Sequence, residues 1–379
     1  MGISERDTVT AGPDLPRPDA SLVAFPYDFR QSVDLIAQHL DAEIRARVQG
    51  RPVVLVAHSM GGLVAAHWWA FLSEGIEVKE IITLGTPYRG ATAALDKLVN
   101  GVSVAGFTLD GLSEVLRGWD SGFELLPHWQ AVEVGGQDTY PHQLPPELTA
   151  ATPDFAARAH RSYRANVELS ERVAALVEQT GRNPFSVYYS QGRATLSRAT
   201  LSGGRLQVFK EDPAWLPEGW VAGDGTVPML SAIPPFLEDD RLFWHRLTRS
   251  HQELVEESPV AGHVAGYRAE ALPEATRGPV QDSTGSYLRL DLDDVLPALT
   301  PTTGRIEVVV GDATDLEVRA LGGSIGNQRV SAERDGERWV FQLPGLPEGL
   351  HELKLTADTG QDSDPVTLTA RIGAVELSG

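Results

Sequence analysis

"VVLVAHSMGGLVAAHWWA", residues 53–70, decides how the chain folds. Its first five residues, Val53 to Ala57, are β-branched or apolar and predict a buried strand. From Gly61 to Leu72 the pattern changes to one that predicts a helix. Ser59 stands between the two, flanked by small residues. A serine in this place caps the helix, or else it is the exposed hydroxyl of a cramped strand-to-helix turn, where small neighbours let the segments approach. Ala57-His58-Ser59-Met60-Gly61, followed by a second glycine at Gly62, suits the second use, with alanine where a first glycine is usual.

Working outward, residues 21–25 (SLVAF) read as a short strand. The apolar positions Val33, Leu35, Ile36, Leu40, Ile44 and Val48 recur with helical spacing up to Gly50. Val78 to Leu84 is another strand, stopped by Gly85-Thr86-Pro87. Strands alternating with helices imply parallel pairing in an α/β sheet. Residues 100–180 lose that alternation and carry two helical patches, 110–119 and 152–179, which we read as a cap over the carboxyl edge of the sheet. Phe107, Leu112, Val115, Leu116, Trp119, Phe123, Leu125, Leu126 and Trp129 in this stretch either line a pocket or form a lid, or pack the cap onto the sheet. Strands resume at 184–192 (PFSVYYSQG) and 241–247 (RLFWHRL). Residues 271–304, rich in Pro, Thr, Asp and Gly, read as a linker. Residues 305–379 show short alternating runs (RIEVVV, LEVRAL, RWVFQL, HELKLTA, VTLTARI) between turns, the texture of a small immunoglobulin-like β-sandwich. The sandwich has no cluster of candidate catalytic residues and reads as a spacer or as a module for a protein or ligand partner.

A serine hydroxyl needs a histidine base, itself oriented by a carboxylate, before it attacks at neutral pH. In the α/β-hydrolase fold the chain order is serine, acid, histidine, so both partners lie downstream of Ser59. Asp224, in VAGDGTVPMLSA (221–232), sits between two glycines after the cap. It is either a turn aspartate bonding its own backbone or the acid. Three histidines follow. His245 lies inside a strand and His263 in an apolar helical pattern, so packing explains both. His251, in the polar turn TRSHQEL, is the best placed to reach over the sheet edge. His58 reads as packing within the elbow.

Six stretches in order, FPYDFR (25–30), AHSMGG (57–62), IITLGTPYRGA (81–91), FELLPHW (123–129), GDGTVP (223–228) and SHQELVEESPVAGHV (250–264), resemble the lecithin:cholesterol acyltransferase family of α/β hydrolases. The resemblance covers roughly residues 20–270 and leaves the linker and sandwich unmatched. It implies an α/β-hydrolase domain over residues 1–270 with a cap at about 100–180. It also implies Ser59 as nucleophile, Asp224 as acid and His251 as base. The family moves an acyl group from a lipid ester to the serine and then to an alcohol or water. Two departures stand out. Phe29 occupies a tryptophan position of the family, and the residues upstream of the short SLVAF strand hold neither a convincing earlier strand nor a His-Gly or Gly-Gly loop. That loop would supply the second N–H of an oxyanion hole whose first is Met60, and one such donor is worth roughly 3 kcal/mol in the transition state. Either the true chain begins upstream of Met1, or the loop is lost and the scaffold binds without catalysing. The cost of an uncovered sheet edge favours the first.

Composition narrows the partners. The net charge of -20 argues against nucleic acid and anionic membrane surfaces. With no cysteine there is no disulfide, thiol nucleophile or thiolate metal site. The histidines show no metal-ligand spacing and no phosphate loop appears, so no cofactor or metal is expected. Without an apolar leader or a spanning segment the expected location is the cytoplasm.

Overall fold

The computed structural model describes residues 8–10, 22–104, 107–202, 205–217, 220, 222–256, 258–266, 289–290, 298–300, 305–309, 319–335, 338–342, 346–347, 349–358 and 366–374. Two short strands come first, β1 (Thr8–Thr10) and β2 (Leu22–Ala24), paired in parallel. β2 lies where a strand was expected. β1 corrects the expectation that no further strand lies upstream of β2, three residues being too few for a periodicity to register. The residues joining them, 11–21, lie outside the described residues, and so does any second oxyanion donor sought there.

Helix α1 (Val33–Val48) starts where Ser32 Oγ accepts the amide of Leu35 at 3.3 Å, and the Val33 amide donates to the Glu124 carboxylate at 2.8 Å. Then follow β3 (Val53–His58), α2 (Gly61–Phe71), β4 (Val78–Leu84) and α3 (Thr92–Val99). The excursion holds β5 (Ser103–Val104), β6 (Phe107–Thr108), α4 (Asp110–Arg117), α5 (Asp120–Glu124), β7 (Val132–Val134), β8 (Gln137–Thr139) and the long α6 (Phe155–Thr180). After it come β9 (Phe185–Ser190), β10 (Arg198–Ser202), β11 (Arg205–Phe209), the short α7 (Met229–Ala232), β12 (Trp244–Leu247) and α8 (Ser258–Gly266).

The order β12-β9-β4-β3 forms one parallel sheet, as strands separated by helices require. Side chains alternate between its faces. Ile81, Phe185, Val187 and Tyr189 join α1, α2 and α6 in one core, whereas Ile82, Leu84 and Tyr188 join Leu247, Leu254 and Val260 in another. Among the described residues β3 is an edge strand, so Val56 is 45 % exposed where a buried strand was expected. The cap has its own core of Leu95, Leu98, Phe123, Leu126, Trp129 and Phe155. Its strands β7 and β8 join β10 and β11, which follow β9, in a sheet β11-β10-β7-β8 that the sequence reading missed. Gly135 and Gly136, both at positive φ, make the β7–β8 turn.

In the C-terminal part β13 (Arg289–Leu290), β14 (Ala298–Thr300), β15 (Arg305–Val309), β16 (Ala320–Ile325), β17 (Gln328–Asp335), β18 (Arg338–Gln342), β19 (Gly349–Asp358) and β20 (Val366–Ala374) form an all-β sheet. Every pairing is antiparallel except β14 with β20. Two differences from expectation stand out. β13 and β14 come from the stretch read as linker, and β17 was not foreseen because its sequence, QRVSAERD, is mostly polar.

Candidate active site

Backbone strain marks the elbow. Ser59 has φ 53°, a left-handed conformation that a non-glycine residue adopts only when its surroundings impose it. Its amide donates to the Leu84 carbonyl at 2.9 Å, extending the β3–β4 pairing to the serine itself. The chain can turn so tightly because Gly62 has no side chain: a Cβ there would come within 1.9 Å of Thr86 Oγ1. At Gly61 the nearest atom would be Tyr27 Oη at 3.5 Å, ordinary contact, so Gly62 is the glycine that sterics demand. The helix-cap use of Ser59 is not adopted. The residue capping α2 is Met60, without a side-chain bond, and Ser59 Oγ turns to a histidine instead.

That histidine is His251, whose Nε2 lies 2.9 Å from Ser59 Oγ. Its Nδ1 lies 2.7 Å from Asp224 Oδ2. A carboxylate only accepts, so Nδ1 carries the proton, and the neutral ring presents Nε2 as acceptor to the serine O–H. The other carboxylate oxygen, Oδ1, accepts the amides of Thr226 at 2.9 Å and Val227 at 2.7 Å. The two oxygens of Asp224 thus differ in use, Oδ1 bonding its own turn and Oδ2 facing His251. Backbone joins the loops as well, the His251 amide donating to the Asp224 carbonyl at 3.0 Å. Asp224 is 1 % and His251 4 % exposed, which shields their bond from water.

His58 does more than pack the elbow. Its Nε2 donates to the His251 carbonyl at 2.8 Å, with the rings 4.7 Å apart. Burial, and then the neighbouring His251, push its pKa down, so it serves as a neutral donor. Gly85, read from sequence only as a strand stop, is another missed contributor. At φ +56°, a Cβ there would lie 2.8 Å from Asp224 Oδ2 and 3.0 Å from His251 Nδ1. The closeness of three chain segments at one point leaves no local pattern in any of them.

The other sequence candidates separate cleanly. His245 stacks on Tyr188 with ring centroids 4.5 Å apart, and His263 bonds Tyr188 Oη at 2.9 Å and Glu80 at 3.1 Å. Both make packing contacts of the kind expected of them, although those of His263 are polar rather than apolar. Of the cap residues, Phe123, Leu126 and Trp129 are buried in the cap core, whereas Leu112 and Val115 are exposed on α4. The side chain of Phe107 lies outside the described residues. No described helix is long and apolar enough to cross a membrane.

Comparison with known proteins agrees with the elbow region. The model of the lecithin:cholesterol acyltransferase family matches residues 16–132. Over that stretch the chain is similar to the family. The stretch includes FPYDFR, the Ser59 elbow, the Gly85 turn and FELLPHW. The chain is also 34% identical over 90 residues to "Phospholipase A(1) LCAT3" of Arabidopsis thaliana, a match covering 22% of this chain and 20% of that protein. The chain thus spans about a fifth of the length of the curated relative it matches. Among solved structures, a chain of the Tle4-Tli4 complex aligns with TM-score 0.49 and 16% identity over 66% of this chain and 69% of that one. The Bacillus licheniformis lipase BlEst2 in mature form aligns with TM-score 0.30 and 16% identity over 66% and 78%. The parallel sheet is established by its own strand pairing.

Proposed function

We propose that this chain is a serine-dependent enzyme that moves an acyl group from a lipid-like ester to an alcohol or to water. The observation that carries the reading is the hydrogen-bonded series Ser59–His251–Asp224 at 2.9 and 2.7 Å, with Ser59 on a strained turn. The family match at residues 16–132 supports the ester class. Ser59 Oγ attacks the ester carbonyl carbon while its proton passes to His251 Nε2, and the imidazolium so formed is held by Asp224. The carbonyl oxygen becomes an oxyanion facing the amide of Met60, at the head of α2, where first-turn amides have no acceptor within the helix. His251 then gives its proton to the departing alkoxide, leaving the acyl group on Ser59. An alcohol or water, deprotonated by His251, attacks that acyl-enzyme, and Ser59 regains its proton as the product leaves.

A fluorophosphonate probe tests the reading. Folded wild-type protein is expected to be labelled at Ser59, and Ser59→Ala is expected to remain unlabelled. Absence of labelling in folded wild type would sink the proposal.

Gly85 gives a second check. In Gly85→Ala the new methyl would press on both Asp224 Oδ2 and His251 Nδ1 and would sit at a φ costing about 1–3 kcal/mol. Ester turnover is expected to fall about 100-fold, the scale of a 1 Å displacement of catalytic groups. Steady-state kinetics and a thermal midpoint measure the two effects, and unchanged turnover would show that the contact is not needed.

A further inference from the structure

We propose that Arg193 and Glu253 are a positioning pair that holds the Asp224 loop and the His251 loop in register, an inference that rests on the triad reading above. Arg193 follows β9 and grips the acid loop through its backbone. Its amide donates to the Gly223 carbonyl at 3.2 Å, and the Gly223 amide donates back to the Arg193 carbonyl at 3.1 Å. Thr195 reinforces this grip, its hydroxyl donating to the Arg193 carbonyl at 3.0 Å and accepting the Gly225 amide at 2.9 Å. The Arg193 side chain reaches the other loop, with Nη2 3.4 Å from Glu253 Oε2. That same carboxylate oxygen accepts the Ser250 hydroxyl at 2.7 Å and the Ser250 amide at 3.2 Å, closing the turn that carries His251. One residue therefore touches the neighbours of both the acid and the base.

Energetics favour a registry role over simple stabilisation. Arg193 is 2 % and Glu253 5 % exposed, and taking two opposite charges out of water costs as much as or more than their attraction returns. A buried pair of this kind is weakly accounted for by stability. Its place, spanning two loops whose separation sets a 2.7 Å hydrogen bond, accounts for it better. His251 faces the Asp224 carboxylate, the neutral His58 and the Ser59 hydroxyl, and Glu253 with Arg193 lies two residues along the chain.

The test compares Arg193→Met, Glu253→Gln and the double variant in the full chain, with kcat counted per fluorophosphonate-labelled site. Each single variant is expected to lose about 100-fold in kcat with KM within about twofold of wild type, because the loops shift while substrate contacts stay. The acid limb of the kcat/KM profile is expected to move to lower pH in Glu253→Gln, where an anion near the imidazolium is gone. It is expected to move to higher pH in Arg193→Met, where a cation is gone. The double variant, with neither charge buried, is expected to fold, to show the wild-type limb and to keep the kcat deficit. Wild-type kcat per labelled site in the singles or the double, or limb shifts of the same sign in the two singles, would overturn the proposal. Should a single variant fail to fold, the double decides through its kcat. An unlabelled wild type would instead count against the triad reading itself, so the two failures are distinguishable.

Discussion

Replacing Ser59 with alanine is expected to lower ester turnover about 10⁶-fold, and replacing His251 with alanine in the same chain is expected to lower it hardly further. The reason lies in the coupling at 2.9 Å: without Nε2 to take its proton the hydroxyl does not attack, and without the hydroxyl the base has nothing to activate. Groups that work as a unit fail as a unit, so each single loss should nearly equal the double. Initial rates on a chromogenic ester for Ser59→Ala, His251→Ala and the double variant measure this. Losses that multiplied across the two residues would mean that they act independently, which the hydrogen bond between them contradicts. His245→Ala serves as a control, since that ring stacks on Tyr188 and should leave the rate per folded molecule near wild type.

How much of this the sequence carried depends on the range over which each signal acts. The elbow is local: strand residues, a serine among small residues and a helix pattern occupy eighteen consecutive positions, and they form the strand, turn and helix read there, although the strand lies at a sheet edge rather than buried. Asp224 and His251 are far from Ser59 in sequence, and only the chain order of the fold and the resemblance singled them out. The structure then brings all three together. Arg193 stayed invisible because its meaning depends on Gly223 and Glu253, the latter sixty residues away, and SQGRATLS holds nothing that announces an ion pair. The cap sheet was missed for a related reason. Its strands are only three to five residues long and lie in segments whose composition resembles loop, so pairing between them, not local periodicity, makes them strands. The same holds for β13 and β14, short segments in a stretch of linker-like composition whose pairing with β15 and β20 is invisible in their own residues.

Asp224→Asn is expected to lower turnover about 10⁴-fold while leaving the fold intact, and the structure fixes why. Oδ1 of Asp224 accepts two backbone amides, from Thr226 and Val227, so an asparagine must place its carbonyl oxygen there to keep them. Its NH₂ group then takes the place of Oδ2, facing His251 Nδ1 at the position now spanned by a 2.7 Å bond. Two donors cannot share that gap, so the imidazole shifts to the tautomer with its proton on Nε2, and Nε2 no longer accepts from Ser59 Oγ. The substitution thus removes the base without removing a single ring atom. Asp224→Ala should behave differently, because it forfeits both loop amide bonds and is expected to lower the thermal midpoint, whereas Asp224→Asn is not. Measuring kcat and thermal midpoint for both variants separates the tautomer effect from loop loosening. Near-wild-type turnover in Asp224→Asn would mean that the orientation of His251 is set elsewhere, with the His58 bond to the His251 carbonyl as the first place to look.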